Sequence, residues 1–213
     1  MRETGGFAGT GSWSRGELPV LSHLAASAFA PMDLWHWITP DDDARAALLP
    51  VLLRRPLADV HARDGMLLVA EAEGRPLGVA AWAAPGQAVA QRRRSLLAAP
   101  ALLRAAWPHR AALRVLGERG PRVDQALEAR HAAEPHWYLG LLTVAPDAQV
   151  GGVGSALVRA GLARADADGL PACLECDRHL EANYARFGFA RTHTVEIDDG
   201  APAHLGMGRP AGG

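Results

Sequence analysis

Residues 137–161, WYLGLLTVAPDAQVGGVGSALVRAG, constrain the fold more than any other stretch of the chain. The run WYLGLLTV at its start is apolar throughout. Extended, it would set Trp137, Leu139 and Leu141 on one face and Tyr138, Leu142 and Val144 on the other. Both faces are apolar, so the pattern predicts a central strand covered on both sides. Pro146 and Asp147 end it. A loop carrying Gly151, Gly152 and Gly154 follows, then an Ala/Leu/Arg helical pattern that stops at Asp168-Gly169. Strand, glycine loop and helix start in that order make an anion site, because unpaired N–H groups and the positive end of the helix dipole converge there. A ligand carrying phosphate is expected, with a tight turn that binds nothing as the plainer alternative.

The loop is selective about which phosphate ligand it fits. A Walker loop needs Lys and then Ser or Thr after its last glycine, and Gly154 is followed by Ser155-Ala156. In a dinucleotide fingerprint starting at Gly152, the third glycine falls on Leu157. Residues 149–154, QVGGVG, read instead as Q-x-x-G-x-G. This resembles the acetyl-CoA pyrophosphate loop of the GNAT superfamily of N-acetyltransferases. The resemblance continues through the short apolar strand PACLEC at residues 171–176 and the run YARFGF at 184–189, which is similar to the family's Y-x-x-x-G-F. In pattern the chain is closest to puromycin N-acetyltransferase-like bacterial enzymes. It shares their Pro135-x-Trp137-x-Leu139 entry to the strand, the Leu174-Glu175 pair, Tyr184 and the late Met207-Gly208-Arg209.

The resemblance implies an α/β fold: a GNAT-like mixed, mostly antiparallel central sheet flanked by helices, with a helical insertion before the central strand. It implies acetyl-CoA as cosubstrate and a small-molecule amine as acceptor, with direct transfer between them. Leu142, Thr143 and Val144 would offer backbone groups to the pantetheine arm and acetyl carbonyl, where the central strand splays from its neighbour. Gln149, Val150, Gly151, Gly152, Val153, Gly154 and Ser155 would hold the pyrophosphate. Tyr184 matches the family's general acid, since a phenol with a pKa near ~10 is protonated at neutral pH. A packing tyrosine is the alternative. Leu180 stands where many relatives carry an asparagine that contacts the cofactor, and Asn183 is adjacent to Tyr184. Glu175 is the first candidate base and His136 the second, with a water chain open as a third route. A non-catalytic acyl-CoA-binding sensor is the rival function, and Tyr184 separates the two because a binder needs no proton donor.

Composition narrows the field in other directions. A net charge of -1 over 213 residues gives no electrostatic reason to bind nucleic acid or a membrane surface. No apolar run approaches the ~18 residues a bilayer span needs, and no secretory pattern opens the chain, so the cytoplasm is the expected compartment; the resemblance implies a bacterial enzyme. Cys173 and Cys176 form a C-x-x-C on a predicted strand. Residues three apart on a strand face opposite ways, so these two read as packing residues and no metal site is expected. The length suits one domain spanning residues 1–213, and a homodimer stays open.

In chain order, residues 1–16 are expected to be partly disordered or to include a short edge strand. The spacing of Leu18, Leu21, Leu24 and Ala25 predicts a helix to Phe29. Trp35 and Trp37 fall in an expected loop. Thr39-Pro40 followed by Asp41, Asp42 and Asp43 reads as a helix start with Thr39 as N-cap, and Pro50 and Pro56 are expected to break or kink that helix. Residues 66–72 and 77–83 predict a hairpin about Glu73-Gly74-Arg75-Pro76, with Trp82 aimed at either the core or an acceptor cleft. Residues 87–133 form the helical insertion, with breaks expected near Pro100, Pro108 and Gly117 to Pro121 and with Arg92, Arg93 and Arg94 on a solvated face. Two closing strands are expected at 190–197 and 204–209.

Overall fold

A six-stranded sheet organises the chain. Its strands are β1 (Met66–Ala72), β2 (Arg75–Ala83), β3 (Trp137–Val144), β4 (Ala172–Asp177), β5 (Ala190–Val195) and β6 (His204–Arg209), in the order β1-β2-β3-β4-β6-β5. Only β3 and β4 run parallel; the other neighbours are antiparallel. The structure, a computed structural model, describes residues 15–62, 64–87, 100–132, 134–198 and 200–212. The expectations for residues 1–14 and for Arg92, Arg93 and Arg94 lie outside these. Around the sheet stand α1 (Leu18–Phe29), α2 (Asp33–Ile38), α3 (Asp42–Ala62), α4 (Pro100–Ala106), α5 (Arg110–Ala129), α6 (Val153–Ala167) and α7 (Glu181–Ala185). Among the described residues, no helix is long and apolar enough to cross a membrane.

β3 lies inside the sheet, between the β1–β2 hairpin and β4, as its two-sided apolar pattern requires. The hairpin turns on Glu73 and Gly74, both at positive φ, which is the two-residue turn that matches strand twist. On one face α6 buries Leu157, Val158 and Leu162 against Trp82, Trp137, Leu139 and Leu174. On the other, α1 and α3 bury Leu21, Leu49 and Leu57 against Val69, Val79 and Leu141. Each such side chain contributes ~1.5–3 kcal/mol relative to exposure. Trp82 therefore faces the core: a Cβ on Gly161 of α6 would lie 2.1 Å from its ring, so only glycine lets helix and sheet approach this closely.

The alternation expected along β3 does not hold. Ala81 of β2 pairs with Leu141 and Trp82 with Leu139, leaving Gly140 as an extra residue. This β-bulge shifts the phase of the strand. Trp137 and Leu139 pack on the α6 face, and so do Leu142 and Val144. Leu141 joins the α1–α3 face instead.

Three local expectations are also corrected. Trp35 and Trp37 sit in helix α2, not in a loop. The cap of α3 is Asp41, whose Oδ1 accepts the Ala44 N–H at 2.7 Å; Thr39 lies further out. Finally, α3 runs through Pro50 and Pro56, and α5 through Gly117 and Pro121. An interior proline costs ~3 kcal/mol. Burial of Leu48, Leu49, Leu52, Leu53 and Leu57 along α3, at ~1.5–3 kcal/mol each, outweighs two of them. The described part of the insertion, α4 and α5, packs Leu102, Ala106, Leu116 and Val123 on Ile38, Leu48 and Leu52. It thereby packs on α2 and α3 rather than standing apart from the domain.

Candidate active site

The parallel ladder between β3 and β4 has only three rungs: Trp137 with Ala172, Tyr138 with Cys173, and Leu139 with Leu174. Beyond them β3 stays paired to β2 as far as Val144, and β4 stays paired to β6 as far as Asp177. The two strands therefore part at the Gly140 bulge. The edge of residues 140–144 that would meet β4 has no strand beside it, so its peptide groups are open to a ligand. Within this stretch the Thr143 hydroxyl is buried and has no partner.

The glycine loop stands at the end of the same strand. A 3₁₀ turn over Pro146–Gly151 leads to Gly152, whose φ of 77° is left-handed and favours glycine, and α6 begins at Val153. The Ala145 N–H donates to the Leu77 carbonyl at 2.7 Å, and Arg75 reaches Asp147 at 2.9 Å, tying the turn to the hairpin. No side chain caps α6. Its first N–H groups are therefore available to an anion. Gly151 and Gly152 are exposed, and a Cβ on either would meet nothing within 4 Å. Arg186 donates to Ser155 Oγ at 3.2 Å, and the guanidinium groups of Arg186 and Arg159 lie 5.0 and 5.5 Å from the Phe187 ring. An uncapped helix start, two nearby cations, an open strand edge and an unpaired buried hydroxyl suit a phosphate-bearing ligand with an extended amide arm. Coenzyme A has that chemistry.

Leu142, Thr143, Val144, Gln149 and Gly154 line one cleft of about 730 Å³ together with Glu175 and Tyr184. Gly151, Gly152 and Ser155 form the loop and the first turn of α6 beside it. Val150 lies within the 3₁₀ turn, and Val153 turns its side chain into the core, so it can offer only its peptide group. Leu180 and Asn183 both line the cleft. His136 does not: it is buried with Nδ1 2.6 Å from the Glu134 carbonyl, its ring 4.7 Å from that of His131.

Tyr184 and Glu175 approach the opening from opposite faces of the sheet. Tyr184 belongs to the α6 side and meets Phe189 edge-on, with centroids 6.2 Å apart. Burial raises its phenol pKa, and Cys176 and Asp177 add to the effect, so the hydroxyl keeps its proton well past neutrality. Glu175 points to the other side, where the Tyr138 hydroxyl donates to its Oε2. There it also lines a second cavity of about 260 Å³, bounded by α2, α3 and α5. The two cavities share Phe29, Met32, Gly140, Leu141, Glu175 and Cys176. Next along β4, Asp177 lies 2.9 Å from His204 Nε2, and that contact holds its carboxyl below the usual range. Cys173 and Cys176 are free thiols. Burial, aided by Glu175, pushes Cys173 up to about 11, and burial, aided by Asp177, pushes Cys176 up to about 12. Neither is a thiolate near neutrality.

Four residues that line the two cavities are not among the site residues expected from the sequence: Gly140, Tyr138, Arg186 and Asp124. A glycine inside an apolar strand is itself a signal of a bulge or a close approach, so Gly140 was visible in principle. Arg186 sits within the YARFGF run. Tyr138 and Asp124 carried no local mark.

Comparison with known proteins agrees with this geometry. The model of the Acetyltransferase (GNAT) family matches residues 31–189. The fold is similar to that of an acetyltransferase from Corynebacterium glutamicum described as histone acetyltransferase HPA2 and related acetyltransferase (24% identity, 97% of this chain and 98% of that one, TM-score 0.67). It is also similar to an N-acetyltransferase from Staphylococcus aureus (12% identity, 92% and 96%, TM-score 0.58). The ribosomal-protein-S18-alanine N-acetyltransferase of Escherichia coli shares the fold too (14% identity, 95% and 93%, TM-score 0.53). With its splayed parallel pair, its glycine loop and this family match, the chain belongs to the GNAT acetyltransferase family and is an acyl-CoA-dependent N-acyltransferase.

Proposed function

We propose that residues 1–213 form one acetyltransferase domain of a bacterial, cytoplasmic enzyme. It moves an acetyl group from acetyl-CoA to the primary amine of a small molecule, by direct transfer, in the manner of puromycin N-acetyltransferase-like enzymes. The observation that carries this is the meeting of two cavities where β3 and β4 part. One runs beneath the glycine loop and the other lies under α2 and α5, and they share Gly140 and Glu175. Two reactants can thus be held end to end, which removes most of the entropic cost of their encounter.

Acetyl-CoA supplies the activated acyl thioester. The chain's own residues do the rest. Peptide N–H groups of Gly152, Val153, Gly154 and Ser155, with Gln149 and the turn at Val150 and Gly151, hold phosphate charge at the start of α6. Arg186 adds a cation there. The open edge at Leu142, Thr143 and Val144 orients the arm by backbone hydrogen bonds and polarises the acyl carbonyl. Glu175, fixed by Tyr138, accepts the proton that an ammonium must lose before it can attack. Tyr184 Oη holds a proton on the opposite side of the opening, ready for a developing thiolate.

The test is thiol release from acetyl-CoA across a panel of primary amines, with mass spectrometry of the amine. Amine-dependent release with acetylated product is expected. A protein that binds CoA yet releases no thiol with any amine is instead a sensor or scaffold.

A further inference from the structure

Three rings form a chain of contacts behind Glu175. His136 precedes β3, Tyr138 is the second residue of that strand, and His131 follows the end of α5. The His131 ring lies 4.7 Å from that of His136, tilted by 53°, and 5.2 Å from that of Tyr138, edge to face at 76°. Such separations and tilts are those at which aromatic rings attract. His136 is buried, and its Nδ1, 2.6 Å from the Glu134 carbonyl, fixes the far end of the chain. Tyr138, also buried, stands opposite Cys173 in the parallel ladder. Glu175 is two residues beyond Cys173 and so faces the same way. The Tyr138 hydroxyl therefore reaches along the strand to Glu175 Oε2.

Glu175 is the first residue of β4 past the last rung with β3, and it lines both cavities. A glutamate side chain has three torsions, and open space on two sides leaves it many rotamers. A donor held from behind selects among them. We infer that His136, His131 and Tyr138 form a positioning column that sets the Glu175 carboxylate where the two cavities meet, so that the end of the helical insertion governs the rate of transfer. The inference rests on Glu175 taking the proton of the amine, and it supplies the support that reading needs. In that step the nitrogen loses its proton to Glu175 and forms the C–N bond as the thioester C–S bond breaks. The electron pair leaves on sulfur, which takes the proton from Tyr184. Misplacing a reacting group by ~1 Å can cost ~10²-fold in rate. CoA binding at the start of α6 does not involve the column.

Steady-state kinetics on an accepted amine, with calorimetry of CoA, test this. Tyr138→Phe keeps the ring and loses the hydroxyl; kcat should fall ~10–10²-fold while the Kd for CoA stays within ~2-fold. His131→Ala should lower kcat ~10-fold, and His131→Phe, which restores a ring, should recover most of that loss. In Glu175→Ala, adding Tyr138→Phe should cost nothing more, because the group it positions is gone. An unchanged kcat in Tyr138→Phe or in His131→Ala, equal losses in His131→Phe and His131→Ala, or multiplying losses in the Tyr138–Glu175 double variant would overturn the inference. A kcat lowered by Glu175→Ala would in each of these cases still sustain the proton-transfer reading. Wild-type kcat in Glu175→Ala removes that reading, and the inference with it. If CoA binds but no amine is acetylated, the transfer reading fails by itself. Denaturant titration of Tyr138→Phe, Glu175→Ala and the double variant then judges the column: midpoint shifts that do not add sustain it, and additive shifts overturn it.

Discussion

Tyr184→Phe separates the proton donor from the packing residue. The ring meets Phe189 edge-on at 6.2 Å and belongs to the α6-side core, and phenylalanine keeps both contacts. Only the hydroxyl is lost, so stability should change by less than about 1 kcal/mol. CoA affinity should fall little, because the open strand edge and the α6 start remain. Losing a positioned acid typically costs ~10²–10⁴ in the chemical step, or about 3–5.5 kcal/mol of barrier. The raised phenol adds a pH signature. Folded Tyr184 stays protonated above the ordinary phenol value of ~10, whereas the unfolded phenol ionises there. Its contribution to stability is therefore complete below pH ~10 and is lost as pH climbs further. The melting temperature of the native protein should decline above pH ~10 more steeply than that of Tyr184→Phe. The assay is single-turnover acetylation of an accepted amine by both proteins, with melting curves from pH 7 to about 11. A mutant rate within about threefold of wild type, on a step shown to be chemistry, would contradict the assignment.

Two further substitutions probe the scaffold. Gly161→Ala places a Cβ 2.1 Å from the fully buried Trp82 ring, so it should destabilise by ~1–3 kcal/mol or more in denaturant titration; an unchanged midpoint would mean that α6 is not packed this closely. Asp166 takes a two-pronged contact from Arg209, at 2.6 and 3.0 Å, and the Gly212 N–H at 2.7 Å, which together hold its carboxyl below the usual range. A depressed carboxyl contributes stability above its unfolded pKa and loses it as pH falls through the folded value. Asp166→Asn should therefore lower the melting temperature at pH 7 and make progressively less difference as the solution is acidified below pH ~4.

Much of this fold is written locally in the sequence. The two-sided apolar run put β3 in the interior, Glu73-Gly74 marked the hairpin, and the glycines between strand and helix marked the start of α6. Each of these rests on neighbours in sequence. The Gly140 bulge was the costly omission. It reverses the facing of Leu141, Leu142 and Val144, and it coincides with the end of the β3–β4 ladder, so the opening itself was invisible to strict alternation. The prolines of α3 and α5 misled for another reason. Burial against distant residues outweighs a local cost, and a window along the chain cannot see those partners. The same limit hid the Tyr138–Glu175 contact, which joins residues on separate strands, and the cavity closed by α5. The glycine loop is legible locally as an anion site and the role of Tyr184 through the family resemblance, whereas their meeting with Glu175 at one cleft is a property of the folded chain.

The central claim is that the start of α6 and the open edge of β3 together hold an acyl-CoA. Calorimetry of CoA paired with hydrogen exchange tests it most directly. Saturable one-site heat is expected, with slowed amide exchange at residues 142–144 and 152–155. Both should vanish in Gly154→Glu, whose side chain would enter the cleft at a position already 3.3 Å from Val144. No heat at millimolar CoA, protection confined to other segments, or wild-type affinity in Gly154→Glu would contradict the account.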